Sequence, residues 1–250
     1  MRGFWTLTLM QFRLFLREPS AFFFSLAFPS LLLILFGLIF GNAPSALYGN
    51  NFGNVDASVP AYAGIVIGTV ALLSIPIDTA SNREIGVLRR LRATPLRPVT
   101  YLAANIAVYL LMMIVGMALL VLVGRLGFNL RIGGSWLEVS AGFLVCALAF
   151  IPMGYVLASL APTARVAQSV GMAIFFPMMF LSGAGYPLQL LPDMLRSISA
   201  FLPLTYVVNL LQGLWFGAGW LAGSVWGAAL VLLTLMAIAV AVSVTVFRWE

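Results

Sequence analysis

The densest group of charged side chains in this sequence lies in the segment 81–101, SNREIGVLRRLRATPLRPVTY, which carries five arginines and one glutamate. Ser81 and Glu84 have the spacing of a helix capping box, so we predict a short helix over about 81–94 that begins at Ser81 and ends at the prolines. Guanidinium groups on such a helix can form charge-assisted hydrogen bonds with a cytoplasmic protein. The alternative is a solvated loop whose arginines only fix the orientation of the chain in a membrane. Fewer arginines would suffice for that, so their number favours a docking surface.

Side chains that could catalyse a reaction are scarce. There is no histidine, and the one cysteine, Cys146, lies in an apolar run, which excludes cysteine–histidine nucleophiles and cysteine–histidine metal clusters. The sequence has no GxxxxGK[ST] phosphate-binding loop, so we do not expect it to bind ATP by that route. Asp78 lies about one turn from the end of an apolar run, and we interpret it as an interfacial residue or the partner of a nearby arginine rather than a proton relay. An enzyme is therefore not predicted.

The composition indicates that a lipid bilayer surrounds most of the chain. Of 250 residues, 62% are hydrophobic and 8% are charged, whereas soluble domains carry about 25% charged residues. The apolar residues form continuous runs rather than alternating ones, which favours helices over a barrel. We predict an all-α membrane protein with a single transmembrane domain over residues 1–250. Six runs are long enough to cross a hydrocarbon core of about 30 Å: about 20–41, 60–80, 100–124, 137–160, 166–185 and 221–246.

The arginines also predict which ends of these helices face the cytoplasm. Six spans place both chain ends on one side, and if that side is cytoplasmic, only Arg125, Arg131 and Arg196 of the 13 arginines lie outside. Positive residues concentrate in cytoplasmic loops, so we predict this orientation, with both termini on the cytoplasmic side of a cell membrane. The outer segment 42–59 is rich in Asn, Gly and Ser and is predicted to form turns.

Two further segments are predicted to form short helices that do not cross the membrane. Residues 3–17 place four large apolar side chains on one stripe beside two arginines, which indicates an amphipathic interfacial helix, either a surface anchor or an element that grips a partner. In 182–216, prolines separate two stretches, about 192–200 and 204–215, that are too short to span and fit re-entrant or interfacial helices. These two helices either lie on the outer surface or form an external lid over a pathway.

Taken together, these segments resemble the membrane permease subunit of type-2 ABC transporters, with a layout close to that of daunorubicin-type resistance and polysaccharide exporters. The most specific motif is NREIGVLRRLRATPLRP at 82–98, which is similar to the cytoplasmic coupling-helix loop of the family. The segments FPMMFLSGAGYPLQLLP at 176–192 and PLTYVVNLLQG at 203–213 are similar to a second family signature. LREP at 16–19 ends a helix that resembles the interfacial helix of these permeases.

The resemblance implies a transport subunit without an ATP site of its own. It would work with a separate ATPase subunit, which binds the ATP and Mg²⁺, and with a second permease copy or homologue as a dimer. We expect the chain to contact membrane lipids and not to bind nucleic acid. The resemblance also implies roles for individual residues. The residues that would contact the ATPase are Glu84, Gly86, Leu88, Arg89, Arg90, Arg92, Thr94 and Pro95, supported by Arg13, Arg17 and Glu18 of the interfacial helix. Those that would form an external gate are Pro187, Pro192, Asp193, Arg196, Pro203, Tyr206 and Asn209, and those that would line a substrate path are Phe24, Phe28, Phe176 and Phe180.

The function that this resemblance implies is ATP-driven export of a hydrophobic or amphipathic substrate. A drug, a lipid or a lipid-linked glycan would leave the cytoplasm or the inner leaflet through the permease dimer. The middle third of each predicted span lacks charged residues, which agrees with a largely apolar cargo. Two alternatives from other classes stay open from the residues alone: a stand-alone carrier or channel, and a membrane scaffold that recruits a cytoplasmic protein without transporting anything.

Overall fold

The computed structural model describes residues 23–48, 50–87 and 98–246, and all regular structure within these ranges is helical. We number the helices in chain order. They are α1 (Phe23–Phe40), α2 (Asn54–Glu84), α3 (Pro98–Phe128), α4 (Trp136–Leu160), α5 (Ala164–Leu181), α6 (Asp193–Ser199), α7 (Pro203–Trp215) and α8 (Gly223–Val246).

Six of these helices, α1 to α5 and α8, are long and apolar enough to cross a membrane. The predicted fold class, an all-α membrane protein with six spans, is therefore confirmed for the part of the chain that the structure describes. Length and hydrophobicity sufficed for this prediction because a helix rises about 1.5 Å per residue and must cover about 30 Å of hydrocarbon. The amphipathic helix predicted over 3–17 lies outside the described residues.

Helix α2 forms the centre of the bundle and is buried over most of its length, from Val55 to Pro76, whereas its last two turns are largely half-buried. Helices α1, α3, α4, α5 and α7 pack around it, and α8 packs on α4 and α7 from the outside. The resulting core is almost wholly apolar, and the buried Cys146 belongs to it, as expected for a small hydrophobic residue. Helix α2 is therefore in contact with five of the other seven helices.

The interior of α2 contains a short π-helical segment, Val70–Ser74, between two α-helical parts, Asn54–Thr69 and Ile75–Glu84. Pro76 lies two residues after this segment, and because proline has no N–H, the usual α-helical hydrogen bond to the Leu72 carbonyl is absent. Helix α1 begins with a similar π-helical turn, and its Ser25 hydroxyl lies 3.5 Å from that of Ser74. Both interruptions therefore face each other inside the bundle.

The structure corrects two predicted boundaries of α2. The segment 42–59 is not made of turns throughout, because α2 begins at Asn54, where the Asp56 carboxylate accepts the Gly53 N–H and so satisfies a free donor at the helix start.

The predicted helix start at Ser81 is also wrong. The Ser81 carbonyl accepts the N–H of Ile85 at 3.0 Å, which places Ser81 in the last turn of α2 rather than in the first turn of a new helix. The helix ends at Glu84, and the chain turns at Gly86, whose φ is +71°. Glu84 does not cap its own segment, because its carboxylate is bonded to another helix, as described below. Residues 88–97 lie outside the described part of the chain.

Candidate functional site

The end of α2 is joined to the turn between α4 and α5. The Arg83 guanidinium donates to the Ala161 carbonyl, and the Glu84 carboxylate accepts the backbone N–H of Ala164 at 3.0 Å. Ala164 is the first residue of α5, so the negative charge lies where the unpaired N–H groups and the helix dipole favour it. Thr163 caps the same helix through its hydroxyl. We call Arg83, Glu84 and the turn 161–164 the α2–α5 junction.

Small residues allow the backbones to approach closely beside this junction. Ala80 of α2, Ala161 of the turn and Ala167 of α5 form a separate buried cluster. Small side chains at such positions are typical of tightly packed membrane helices, because they bring backbones into van der Waals contact. The polar bonds of Arg83 and Glu84 are therefore added to a close apolar contact between α2 and α5.

The same end of α2 is also bonded to α3. The Tyr109 hydroxyl donates to the Asp78 carboxylate at 2.9 Å, and the Asn82 amide lies 3.4 Å from the Tyr101 hydroxyl. Both tyrosines belong to α3 and are buried. Asp78 thus has a tyrosine partner on a neighbouring span, which the sequence did not indicate.

Replacing Tyr109 with phenylalanine should weaken the contact between α2 and α3. The variant keeps the ring and removes the hydroxyl that Asp78 accepts, so we expect a loss of about 0.6 kcal/mol, and at most about 1.7 kcal/mol, in the free energy of unfolding. Unfolding by sodium dodecyl sulfate in mixed micelles measures this loss. The exposed Tyr186 offers a matched control, Y186F, which should leave the stability unchanged. An unaltered midpoint in Y109F would show that this bond contributes nothing.

At the opposite end of the bundle, α6 and α7 form a bent helix pair with an angle of 92°. Two short helices were predicted at these positions, about 192–200 and 204–215, and both are confirmed as helices. The Thr205 hydroxyl donates to the Ser199 carbonyl and the Tyr206 hydroxyl to the Ala200 carbonyl, each at 2.7 Å, and these two bonds hold the bend. Asp193 and Arg196 of α6 form an ion pair at 3.9 Å, but their side chains are exposed, so this pair adds little stability.

Helix α7 packs lengthwise along the first half of α2. Leu204, near its start, lies beside Gly64 and Gly68, and Gln212, near its end, donates to the Ala57 carbonyl at 3.1 Å. Gly64 and Gly68 have the spacing of a close helix contact. Side chains of α7 pack against Gly64, whereas the nearest neighbour of Gly68 is Phe175 of α5, with Leu204 of α7 beside it. Since Gly68 is close to the midpoint of α2, the bent pair reaches about half-way along that helix.

A cluster of polar groups at the start of α2 was missed by sequence reasoning. Asp56 is fully buried, and its carboxylate accepts hydrogen bonds from the Asn42 amide at 2.9 Å, the Gly53 N–H at 2.8 Å and the Arg131 N–H at 2.7 Å. Asn42 also donates to the Phe128 carbonyl. We call Asn42, Gly53, Asp56 and Arg131 the Asp56 cluster. The one signal in the sequence was an acidic residue three positions after a glycine at the start of an apolar run.

Comparison with known proteins gives the family. The family model described as ABC-2 type transporter matches residues 2–216, which is most of the chain. The chain belongs to the ABC-2 type transporter family. It is therefore a membrane subunit of a transporter, a permease, and the family implies an ATPase partner in general.

Relatives of this permease carry names that agree with the family. It is 27% identical over 193 residues to ABC transporter G family member 20 of Dictyostelium discoideum, and 29% identical over 215 residues to ycf38 of Cyanophora paradoxa, which is named as a transport permease. The first match covers 75% of this chain and 26% of the relative, and the second covers 83% and 72%. The permease thus spans about a quarter of the length of the Dictyostelium protein.

A shorter match links the permease to Nodulation protein J of Rhizobium leguminosarum bv. viciae. The two are 37% identical over 68 residues, which is 27% of this chain and 26% of the relative.

The structure places the predicted ATPase-contact residues of the permease only in part. Glu84 lies at the α2–α5 junction, and Gly86 follows in a left-handed conformation that favours glycine, with open space around its Cα. The remaining predicted contacts stay predictions, because they lie outside the described residues: Leu88, Arg89, Arg90, Arg92, Thr94, Pro95, Arg13, Arg17 and Glu18.

The aromatic residues predicted to line a path occur on two separate helices of the permease. Phe24 and Phe28 lie on α1 with ring centres 6.1 Å apart, and α1 packs mainly on α2 and α3. Phe176 and Phe180 lie on α5, which packs mainly on the second half of α2; Phe176 is half-buried and Phe180 is 56% exposed. A substrate path along these rings stays a prediction.

Proposed function

We propose that this chain is the permease subunit of an ATP-driven exporter. Two permease subunits, identical or homologous, would join two ATPase subunits that bind ATP and Mg²⁺, and the cargo would be a hydrophobic or amphipathic molecule such as a drug, a lipid or a lipid-linked glycan. The proposal rests on family membership and on relatives named as an ABC transporter and as a transport permease. Substrate leaves the cytoplasm or the inner leaflet of the cell membrane.

In the orientation predicted from the arginines, the α2–α5 junction lies on the cytoplasmic side. Arg83 and Arg165 lie at this end of the bundle, and the sequence connecting α2 to α3 carries four more arginines. At the opposite end the described residues carry Arg125, Arg131 and Arg196. Because positive charge concentrates in cytoplasmic loops, the junction faces the ATPase. The Asp56 cluster and the bent pair lie at the other end and face outward.

Within this proposal, the bonding of Glu84 and Arg83 to the turn between α4 and α5 supports a route for coupling. The motif that resembles a coupling-helix loop begins at Asn82, so a force applied to it by the ATPase enters α2 at its last turn. Through the junction the force reaches α5, and through the Tyr109–Asp78 bond it reaches α3. Three spans would therefore move together when the ATPase changes conformation.

Transport follows as a shift in population between two arrangements of the permease dimer. ATP binding closes the two ATPase subunits, and contacts at the junction that differ between the open and closed arrangements favour one of them. A largely apolar cargo needs no fixed charge along its path, in keeping with spans whose middle parts are uncharged. The bent pair, which reaches about half-way along α2 from the outer end, acts as a re-entrant external gate.

Affinity purification of the tagged permease from its native membrane, followed by reconstitution, tests the function. We expect an ATPase subunit to co-purify, and the complex in liposomes to move a fluorescent NBD-labelled phospholipid between leaflets only when ATP and Mg²⁺ are supplied. Movement of this probe by the permease alone, without ATP, would instead support a carrier or channel. Hydrolysis of ATP without movement of any of a panel of amphipathic probes would support a scaffold.

A further inference from the structure

The Asp56 cluster lies far from the α2–α5 junction, and no step of the proposed transport cycle yet uses it. Its centre is a fully buried carboxylate that accepts three hydrogen bonds, two of them from backbone N–H groups. A carboxylate has two acceptor oxygens and no donor, so it can satisfy three converging N–H groups in a way that an amide cannot. The side chain at position 56 is therefore matched to these partners.

The cluster is connected to the bent pair through the backbone of residue 131. The Arg131 N–H is bonded to Asp56, and the Arg131 carbonyl accepts the indole N–H of Trp215 at 3.0 Å. Trp215 is the last residue of α7 and is fully buried. A continuous chain of two hydrogen bonds thus runs from the start of α2 to the end of α7.

A second set of bonds fixes the same contact. The Trp215 carbonyl accepts the N–H groups of Gly133 and Gly134 at 3.0 and 3.1 Å. A Cβ atom at Gly134 would overlap the Leu214 carbonyl, so the two backbones are as close as glycine permits. The segment 131–134 therefore receives the end of α7, and Asp56 fixes the first residue of that segment.

We propose that Asp56 is a positioning residue for the bent helix pair. By holding the Arg131 backbone it fixes the segment that binds Trp215, and so it keeps the end of α7 against the start of α2. That the bent pair serves as a gate rests on the proposed function; the anchoring by Asp56 does not.

Hydrogen exchange of the full-length chain in lipid nanodiscs tests the anchor without ATPase or cargo. In D56N, which keeps the size of the side chain but turns one acceptor into a donor, we expect exchange over 128–135 and 203–216 to rise by about tenfold. Exchange over 75–87 and 161–170, at the other end of the bundle, should stay within twofold of its original rate. Unchanged exchange over 203–216, or an equal rise at both ends, would overturn the proposal.

Two further variants separate the anchor from general packing. N42A removes the amide that donates to Asp56 and to the Phe128 carbonyl and that accepts the Asp56 N–H, but it leaves the Asp56 carboxylate bonded to the Arg131 N–H, so exchange over 203–216 should rise clearly less than in D56N. W215F removes the indole N–H and leaves the cluster intact, so it should loosen 203–216. If D56N does not fold, W215F decides: normal exchange over 203–216 in that variant overturns the proposal.

A distance measurement reports the position of the pair directly. Spin labels at the exposed positions Met194 on α6 and Leu126 on α3, in a C146A background, should give one narrow distance distribution in the parent chain. In D56N this distribution should broaden, and in N42A it should broaden less. A narrow distribution at the original distance in D56N would show that Asp56 does not position the pair.

Discussion

Replacing both Arg83 and Glu84 with alanine should lower the number of probe molecules moved per ATP hydrolysed by about tenfold, within the range of about 5–150-fold that corresponds to typical coupling free energies. The double variant removes both polar bonds of the α2–α5 junction, while the apolar contact of Ala80, Ala161 and Ala167 remains. Its net charge is unchanged, because one positive and one negative group are lost together. The ratio of probe movement to ATP hydrolysis in liposomes measures the effect.

The single variants divide this effect between the two bonds. E84Q keeps an oxygen that can accept the Ala164 N–H but loses the charge at the start of α5, so it should lie between the parent and E84A. Because the Glu84 bond is exposed, E84A should insert and fold like the parent. Equal movement per ATP in the double variant and the parent would exclude the junction as the route of coupling.

Glu138 provides the matched control for Glu84. It also lies in the first turn of a span, α4, but at the opposite end of the bundle, so E138A removes a carboxylate from a similar helix position without touching the junction. We expect E138A to keep the parent's ratio of probe movement to ATP hydrolysis. A loss as large as that of E84A would indicate that any carboxylate at the start of a span has this effect, and not the junction in particular.

The spans and the bent pair could be predicted from the sequence because local signals determine them. Continuous apolar runs of the right length specify membrane helices. Pro192 directly precedes α6, and Pro203 is the first residue of α7, a position at which proline is common. The burial of Cys146 agrees in the same way with the apolar residues around it in the sequence. Each of these features depends on residues within one or two helical turns of each other.

The α2–α5 junction and the Asp56 cluster could not be predicted, because the residues that bond to each other there are distant in the sequence. Glu84 bonds a residue 80 positions later, and Asp56 bonds residues 14 positions earlier and 75 positions later. The pair Ser81 and Glu84 has the spacing of a capping box at the start of a helix. Residues 81–84 instead form the last turn of α2, because the buried Ala80 and the bonds at Glu84 extend that helix to the junction.

Replacing Gly154 with valine should destabilise the bundle most strongly among the substitutions considered. Gly154 of α4 packs directly on the Ala71 carbonyl, in the π-helical segment of α2, and a Cβ atom there would overlap that oxygen and lie 3.1 Å from the Ile75 Cβ. A backbone carbonyl cannot rotate away as a flexible side chain can, so the helices must separate. We expect a loss of about 3 kcal/mol or more in the free energy of unfolding, at the upper end of overpacking costs.

Gly171 of α5 makes the equivalent contact with the Leu72 carbonyl, which lost its α-helical partner at Pro76. G154A and G171A should therefore each destabilise by about 1–3 kcal/mol in unfolding by sodium dodecyl sulfate. The control is G227A in α8, where a Cβ meets open space; alanine there should leave the stability unchanged or raise it by about 0.5–1 kcal/mol. Wild-type stability in G154V would show that α4 is free to move away from α2 at this point.

The consequence for transport follows from where these contacts lie. Gly154 and Gly171 hold α4 and α5 against the middle of α2, while Arg83 and Glu84 hold the turn between the same two helices against its end. With two points of attachment, we expect α4, α5 and the second half of α2 to move as one body. The π-helical segment is where that body meets the half of α2 that bears α7. A milder variant, G171A, that still folds should therefore lower probe movement per ATP by about fivefold. The G227A control should not change this ratio, and an unchanged ratio in a destabilised G171A would separate packing from coupling.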